Sequence, residues 1–126
     1  MQKTLIVEDN TTFRKTFKDA LCKRFPFMDI EEAKDGPEAL QKVEVFNPNL
    51  VFMDIRLPGK SGLEITEKIK ENHPEIAIII LTDYDLPEYR AAALHGGADD
   101  FIPKGSLNLP VLAKIIADIS YRLPDK

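Results

Sequence analysis

The chain has 126 residues, of which 44% are hydrophobic and 30% charged, a composition typical of one globular domain. Its 17 Lys and Arg against 21 Asp and Glu give a formal net charge of −4, which argues against a general nucleic-acid-binding surface. The single cysteine, Cys22, excludes an internal disulfide and a cysteine-based zinc site. The sequence therefore predicts one cytoplasmic domain without a signal peptide or a membrane span.

Five short segments of the sequence predict β-strands. Continuous apolar runs, which are typical of strands covered on both faces of a parallel sheet, lie at 5–7, 50–53, 76–81 and 101–102. The segment 29–33 alternates less regularly between apolar and polar residues and predicts a strand at the edge of the sheet.

Each predicted strand is followed by a segment in which apolar residues recur at helical spacing. The first helix ends at Pro26 and is predicted to bury one stripe, made of Phe13, Phe17, Ala20, Leu21 and Phe25. The later helices begin, in chain order, at Gly36, at the capping box of Ser61 and Glu64, at 85–88 and near Asn108.

Strands that alternate with helices imply right-handed crossovers and a parallel sheet with helices on both faces. The sequence therefore predicts a single α/β domain over 1–126, built from five βα units. Residues 121–126 turn polar and contain Pro124, so they either end the protein or begin a linker to an output domain.

Polar residues that directly follow the strands identify the candidate site, because ligands of open parallel sheets bind outside the carboxyl ends of the strands. These residues are Glu8 and Asp9 after the first strand, Asp54 after the third, Thr82 after the fourth and Lys104 after the fifth. Three carboxylates, a hydroxyl and an ammonium are thus predicted to converge on one edge of the sheet.

Bringing these carboxylates together costs electrostatic energy, and this cost indicates which ligands the site would bind. Two carboxylates about 4 Å apart repel by roughly 4 kcal/mol at an effective dielectric constant of 20. A hard divalent cation relieves this repulsion, and Mg²⁺ is commonly held by one or two carboxylates together with phosphate and water. Lys104 and Thr82 are suitable partners for phosphate, and a carboxylate can serve as the acceptor of a phosphoryl group.

Taken together and in this order, these residues resemble the receiver domain of two-component response regulators, over essentially the whole chain. The residues that carry the resemblance are Glu8-Asp9, Asp54, Pro58, Gly62, Thr82, the stretch 97–101 and Lys104. The resemblance implies a flavodoxin-like (βα)5 fold, a doubly wound five-stranded parallel sheet with strand order 2-1-3-4-5.

The resemblance also implies a role for each matching residue. Asp54 would be the phosphoacceptor, and Mg²⁺ would be held by Asp9, Asp54, the backbone carbonyl of Arg56 and, through water, Glu8. Lys104 and Thr82 would contact the phosphoryl oxygens. Thr82 and the aromatic residue Phe101 would form the conformational switch.

Four positions, Asp83, Arg56, Tyr84 and Gly105, depart from the usual receiver pattern or tune it. Asp83 stands where the residue after the threonine is normally small, so its carboxylate would repel phosphate or reach the metal. Arg56 and Tyr84 occupy positions that tune dephosphorylation in this family, and their bulk predicts a slow reaction. Lys104 is followed by Gly105 instead of proline, a variant associated with LuxR/NarL-type regulators.

The implied function is a phosphorylation-activated switch of a two-component phosphorelay, working in the cytoplasm with a sensor histidine kinase. The surface of the fourth helix, fifth strand and fifth helix would dock an output domain or a target protein, and a homodimer is compatible with this function. Transcription would be regulated through the output domain, with no direct contact of this domain with nucleic acid or membrane. The domain would catalyse its own phosphorylation and dephosphorylation at Asp54 without being a metabolic enzyme.

Other classes of α/β protein fit the sequence less well. No glycine-rich loop follows the first strand, which excludes P-loop and dinucleotide-binding folds. The Asp-x-Asp pattern of aspartate-based phosphatases is absent at Asp54. The alternative that stays open is a receiver-like docking module that works without phosphorylation, with Asp83 impairing the site.

Several polar residues outside the candidate site are interpreted as structural. The acidic pairs Glu31-Glu32 and Asp99-Asp100 are predicted to be solvated, and His73 and His95 to be surface residues. Cys22 is predicted to be a passive, partly buried thiol.

Overall fold

The structure, a computed structural model, describes residues 2–122 and the side chains of residues 2–119. Its strands are β1 (Lys3–Val7), β2 (Asp29–Ala33), β3 (Leu50–Asp54), β4 (Ala77–Thr82) and β5 (Asp100–Pro103). Its α-helices are α1 (Thr11–Arg24), α2 (Gly36–Phe46), α3 (Gly62–Asn72), α4 (Pro87–His95) and α5 (Leu109–Arg122), and one 3₁₀ turn spans Lys104–Ser106.

The five strands form one parallel sheet in the order β2-β1-β3-β4-β5, which confirms the predicted α/β (βα)5 fold and its strand order. Val7 of β1 pairs with Met53 of β3, and Thr82 of β4 pairs with Pro103 of β5. Because the strands are parallel and in this register, the residues that follow them emerge at the same edge of the sheet.

Both faces of the sheet are covered, so the strands are buried on both sides. All five residues of β3 are buried. Its alternate side chains point into different halves of the core: Val51 and Met53 pack on the side of α2, α3 and α4, and Phe52 packs on the side of α1 and α5. This double coverage is why the strands appear in the sequence as continuous apolar runs.

The observed element boundaries differ from the predicted ones in two places. The fourth strand runs over Ala77–Thr82 instead of 76–81, which places Thr82 inside the strand. Helix α4 begins at Pro87, later than predicted, because the residue before the proline, Leu86, is extended and occupies the capping position instead of Asp85. Helix α5 extends to Arg122, and the remainder of the predicted linker start, 123–126, lies outside the described residues.

Three predictions about side-chain burial were wrong. Ala20 and Cys22 are both exposed. The buried side of α1 is made by Phe17 and Leu21, and Ala20 and Cys22 lie on either side of that buried face. Glu32 is not a solvated edge residue: its side chain is 17% exposed and contacts three cationic side chains of α1.

The predicted solvent exposure of Asp99 and of the two histidines is only partly confirmed. The carboxylate of Asp99 accepts hydrogen bonds from the Lys70 ammonium at 2.9 Å and from the backbone N–H of Ile78 at 2.8 Å, so this side chain joins α3, β4 and the α4–β5 loop. His95 is exposed as predicted, whereas His73 is half-buried at the end of α3. Within residues 2–122, none of the helices combines the length and the apolarity that crossing a membrane requires.

Candidate functional site

Four of the predicted site residues meet at the carboxyl edge of the sheet. Glu8 follows β1, Asp54 ends β3, Thr82 ends β4 and Lys104 follows β5. All four are largely withdrawn from solvent: Glu8 is 3% exposed, Asp54 6% and Thr82 0%, and the side chain of Lys104 is 10% exposed. The structure thus places ionisable groups where charge is poorly solvated and interactions between charges are strong.

Glu8 is held by groups from three parts of the chain. Its Oε1 lies 2.7 Å from the Nζ of Lys104, and its Oε2 accepts a hydrogen bond of 2.9 Å from the backbone N–H of Asn10. Its backbone carbonyl accepts a hydrogen bond of 2.7 Å from the Arg14 guanidinium. The β1–α1 loop therefore has a defined conformation, in which the neighbouring Asp9 is exposed to solvent.

Asp54 has an altered acidity. Burial and, next to it, the negative charge of Glu8 together raise its pKa to about 7, against the opposing effect of the Lys104 ammonium. The backbone around Asp54 is tightly packed, because a Cβ atom at Gly62 would lie 1.9 Å from the Asp54 carbonyl oxygen. Glycine is therefore required at this position for α3 to approach the end of β3.

Among the side chains that the structure describes, Lys104 is the one cation in contact with the carboxylates of both Glu8 and Asp54. Its Nζ lies 2.7 Å from Glu8, 3.6 Å from the Oδ2 of Asp83 and 3.8 Å from the Oδ1 of Asp54. Burial lowers the pKa of Lys104, but the hydrogen bond with Glu8 and the negative charges of Asp54 and Asp83 outweigh it and raise the pKa above its usual value. The side chain is thus a charged ammonium shared among three carboxylates.

The two predicted switch residues are both buried. The Oγ1 of Thr82 accepts a hydrogen bond of 2.9 Å from the backbone N–H of Tyr84, within the β4–α4 loop. Phe101 is 2% exposed, and the guanidinium carbon of Arg90 lies 4.8 Å from the centre of its ring. The aromatic ring is therefore packed inward and covered by a side chain of α4.

Arg56 and Tyr84 form one stacked unit beside the site. The guanidinium carbon of Arg56 lies 4.5 Å from the centre of the Tyr84 ring, a distance typical of cation–π contacts. Tyr84 in turn meets Tyr89 edge to face, with ring centroids 6.5 Å apart. Arg56 and Tyr84, which follow different strands of the sheet, are thus in direct contact in the structure.

The side chains fit a magnesium ion by the chemistry of their donor atoms and not by a ready-made coordination shell. Among residues 2–122, His, Cys, Asp and Glu form no group of three or more that is arranged to hold a metal. The fit lies in the donor set, because the buried carboxylates of Glu8 and Asp54 outnumber the one ammonium between them. Oxygen donors with excess negative charge are what Mg²⁺ prefers.

Sequence reasoning missed two residues that shape this site. Phe13 packs against the core as the helical stripe predicts, and the centre of its ring also lies 4.3 Å from the Nζ of Lys104. Arg14 was not singled out, although it holds the Glu8 carbonyl and the Glu32 carboxylate together. Their place in the first turn of α1, directly after a strand that ends at the site, is the signal that could have identified them.

Comparison with known proteins agrees with this geometry. The family model described as "Response regulator receiver domain" matches residues 4–117. The chain is 31% identical over 123 residues to "Response regulator MprA" of Mycolicibacterium vanbaalenii, covering 98% of this chain and 52% of that protein. It is 39% identical over 105 residues to "Oxygen regulatory protein NreC" of Staphylococcus haemolyticus, covering 82% of this chain and 48% of that protein.

Solved structures show the same architecture. A CheY-like receiver domain protein from Methanospirillum hungatei aligns with a TM-score of 0.86 at 31% identity, over 96% of this chain and 95% of that one. The response regulator TrrA from Thermotoga maritima, in complex with Mg(2+)-BeF, aligns with a TM-score of 0.83 at 33% identity, over 94% of this chain and 99% of that one. The chain spans about half the length of the curated relatives it matches, and it belongs to the response regulator receiver domain family.

Proposed function

We propose that this chain is the phosphorylation-activated switch of a two-component phosphorelay, which accepts a phosphoryl group on Asp54 from a histidine kinase in the cytoplasm. The observation that carries the proposal is the buried Asp54 carboxylate at the end of β3, with the Lys104 ammonium 3.8 Å from its Oδ1. The contacts around Asp54 are those expected of a positioned acceptor, because phosphoryl transfer depends mainly on alignment and charge neutralisation.

The transfer itself is a displacement at phosphorus. An Asp54 carboxylate oxygen forms a bond to phosphorus as the bond from phosphorus to the donor atom breaks, and the electron pair of that bond remains on the donor. The donor atom is an imidazole nitrogen of the kinase or a carboxylate oxygen of acetyl phosphate. Lys104 then neutralises the phosphoryl oxygens, and the hydroxyl of Thr82, at the end of the adjacent β4, donates a hydrogen bond to one of them.

Mg²⁺ would be held by Asp9, Asp54 and the backbone carbonyl of Arg56, with Glu8 acting through water. Its contribution would be positive charge at the phosphoryl oxygens and at the crowded carboxylates. The raised pKa of Asp54, caused by burial and by Glu8, supports this assignment. A cation at this edge would favour the ionised carboxylate that the displacement requires.

Phosphorylation would be transmitted through Thr82 and Phe101 to the surface formed by α4, β5 and α5. In the present structure the Thr82 hydroxyl oxygen accepts a hydrogen bond from the backbone N–H of Tyr84, so a displacement of this hydroxyl toward the phosphoryl group would also move the β4–α4 loop. The changed surface would dock an output domain, a target protein or a second copy. The greater length of the relatives supports an output domain, through which transcription would be regulated.

Arg56 and Tyr84 would slow the loss of the phosphoryl group. Arg56 and Tyr84 each lie two residues beyond a site residue, Asp54 and Thr82, and their side chains stack on one another, so they would hinder a water molecule that approaches the acceptor. We expect the double substitution Arg56→Asn with Tyr84→Glu to shorten the lifetime of the phosphorylated protein by about 10-fold, which corresponds to about 1.4 kcal/mol of barrier. The lifetime is measured by intact mass after removal of the donor, and an unchanged lifetime would contradict the role.

A second candidate function rests on one contact of Asp83. Its carboxylate lies 3.6 Å from the Lys104 ammonium, so it competes with a phosphoryl group for that cation. If the competition is strong enough to prevent phosphorylation, the chain would work as a docking module that needs none. Asp83 is 70% exposed, and exposed ion pairs are usually weak, so we favour slower phosphorylation over a blocked site.

Intact-mass spectrometry after incubation with acetyl phosphate decides between the two functions. We expect one phosphoryl adduct that requires Mg²⁺, is absent from Asp54→Ala and forms faster in Asp83→Ala. Asp85→Ala is the matched control, because it removes another exposed carboxylate of the same loop that contacts Arg90 and not Lys104. No adduct in the unaltered protein, with an adduct in Asp83→Ala, would establish the docking module.

A further inference from the structure

We propose that Phe13 is a positioning residue for Lys104, holding its ammonium over the acceptor carboxylate through the face of the aromatic ring. The centre of the ring lies 4.3 Å from Nζ, inside the range in which a cation is attracted to an aromatic face. Phe13 is half-buried and the side chain of Lys104 is 10% exposed. The contact therefore lies where water competes little for the cation, which strengthens the attraction.

Phe13 differs in kind from the other three groups around the ammonium. Glu8, Asp83 and Asp54 attract Lys104 through carboxylate oxygens, and an incoming phosphoryl group competes with each of them for the same N–H donors. An aromatic face carries no formal charge and leaves those donors free. The ring therefore holds the ammonium in place before and after a phosphoryl group arrives, whereas the carboxylates must give way to it.

The ring is itself anchored to the strand that carries the acceptor. Phe13 stacks on Phe17 with centroids 5.7 Å apart, and Phe17 meets Phe52 edge to face at 5.0 Å. Phe52 lies in β3, two residues before Asp54. The backbone N–H of Phe13 also donates a hydrogen bond of 3.0 Å to the capping side chain of Asn10. A chain of aromatic contacts thus fixes the distance between Lys104 and the end of β3.

The contact has a spectroscopic signature that does not depend on phosphorylation. Protons above an aromatic face are shielded by the ring current, so we expect the ε-methylene resonances of Lys104 to be shifted upfield in the intact protein. The shift should vanish in Phe13→Leu and persist in Phe13→Tyr, which retains the aromatic face. Phe27→Leu is the control, because Phe27 is an exposed ring in edge-to-face contact with Phe25. Lys104 resonances that are the same in the unaltered protein and in Phe13→Leu would overturn the proposal.

The catalytic consequence rests on the proposed function and is measured separately. We expect Phe13→Leu to slow phosphorylation by acetyl phosphate about 3- to 30-fold, the range that corresponds to the loss of one cation–π contact. Phe13→Tyr and Phe27→Leu should keep the original rate. A slow rate in Phe13→Tyr as well would indicate a packing effect and overturn the positioning role. If the unaltered protein forms no adduct, the proposed function fails, and the ring-current shift still decides for or against the contact.

Discussion

Two charge clusters in this molecule have opposite compositions. Their comparison shows how the ratio of cations to carboxylates sets the pKa of a carboxyl group within the cluster. The acidic cluster at the carboxyl edge contains Glu8, Asp54 and Asp83 around the single ammonium of Lys104. The basic cluster beside β2 contains Arg14, Lys15 and Lys18 around the single carboxylate of Glu32. Both bring charges from separate elements together, yet the pKa of Glu32 is lowered whereas that of Asp54 is raised.

In the basic cluster, burial opposes ionisation of Glu32, but hydrogen bonds from Arg14, Lys15 and Lys18 outweigh it and lower the pKa to about 2. In the acidic cluster, burial and the charge of Glu8 raise the pKa of Asp54 to about 7, against the opposing effect of Lys104. A carboxylate with surplus cations stabilises the fold at neutral pH, whereas carboxylates that share one cation destabilise it. That deficit of positive charge is the feature on which the proposed Mg²⁺ site rests.

The largest expected effect comes from relieving the acidic cluster with Asp54→Asn. A carboxyl group whose pKa rises from 3.8 to about 7 on folding costs stability as the pH rises between those two values, and the full cost is present above the higher one. In the absence of divalent metal, we expect Asp54→Asn to raise the free energy of unfolding by about 2–4 kcal/mol at about pH 8. The gain should shrink on acidification and disappear near the unperturbed pKa.

Urea denaturation across this pH range measures the gain. Asp118→Asn serves as the control, because Asp118 is an exposed carboxylate of α5 outside both clusters. A gain that is independent of pH would show that the crowding of carboxylates at Asp54 is not its cause.

A smaller effect of the opposite sign is expected from breaking the basic cluster with Glu32→Gln. Because folding lowers the pKa of Glu32 from 4.5 to about 2, the cluster contributes stability above the higher value, and the contribution is lost as the pH falls through the lower one. We expect a loss of about 1–2 kcal/mol at neutral pH, after allowance for screening by solvent. The same denaturation series checks it, and a loss that is undiminished at about pH 2 would contradict this origin.

The smallest effect is expected at a third ion pair, in which the group whose pKa shifts is the imidazole of His73. The Nε2 of His73 lies 2.7 Å from Glu44, and this hydrogen bond, with the charges of Glu44 and Glu75, raises the pKa of His73. The stabilisation is fully present below the unperturbed value of 6.5 and is lost as the pH rises through the raised pKa. His73→Gln should therefore lower the melting temperature slightly in weak acid and leave it unchanged in alkali.

The matched variant for this third test is His95→Gln, which changes an exposed histidine at the end of α4. Equal shifts of the melting temperature in the two variants, or a shift in His73→Gln that persists in alkali, would show that the pair with Glu44 contributes nothing.

The fold was almost fully predictable from the sequence because its signals are local. Strands covered on both faces appear as continuous apolar runs, and helix starts are indicated by capping residues such as Ser61, whose side chain accepts a hydrogen bond from the first turn of α3. The difference at α4 has a physical reason: Pro87 favours the first helical position and keeps Leu86 extended as the cap residue, so Asp85 lies one residue too early to cap the helix.

The site was predictable as a set of residues but not as a set of contacts. Parallel strands bring their carboxyl ends to one edge, so the residues that follow them were certain to be neighbours once the fold was known. The pairing of Lys104 with Glu8 at 2.7 Å, closer than with Asp54 at 3.8 Å, depends on how the loops after β1 and β5 are shaped. No spacing in the sequence encodes that difference.

The sequence by itself therefore determined the order of the elements, the two-sided burial of the sheet and the identity of most residues at its carboxyl edge. The tertiary structure alone decided that Phe13 faces Lys104 and that three cations of α1 surround Glu32. The physical reason is the distance along the chain over which each kind of interaction acts. Hydrophobic periodicity and capping act within one turn of helix or one strand, whereas these contacts join different βα units, and their strength follows from distances and burial that exist only in the folded chain.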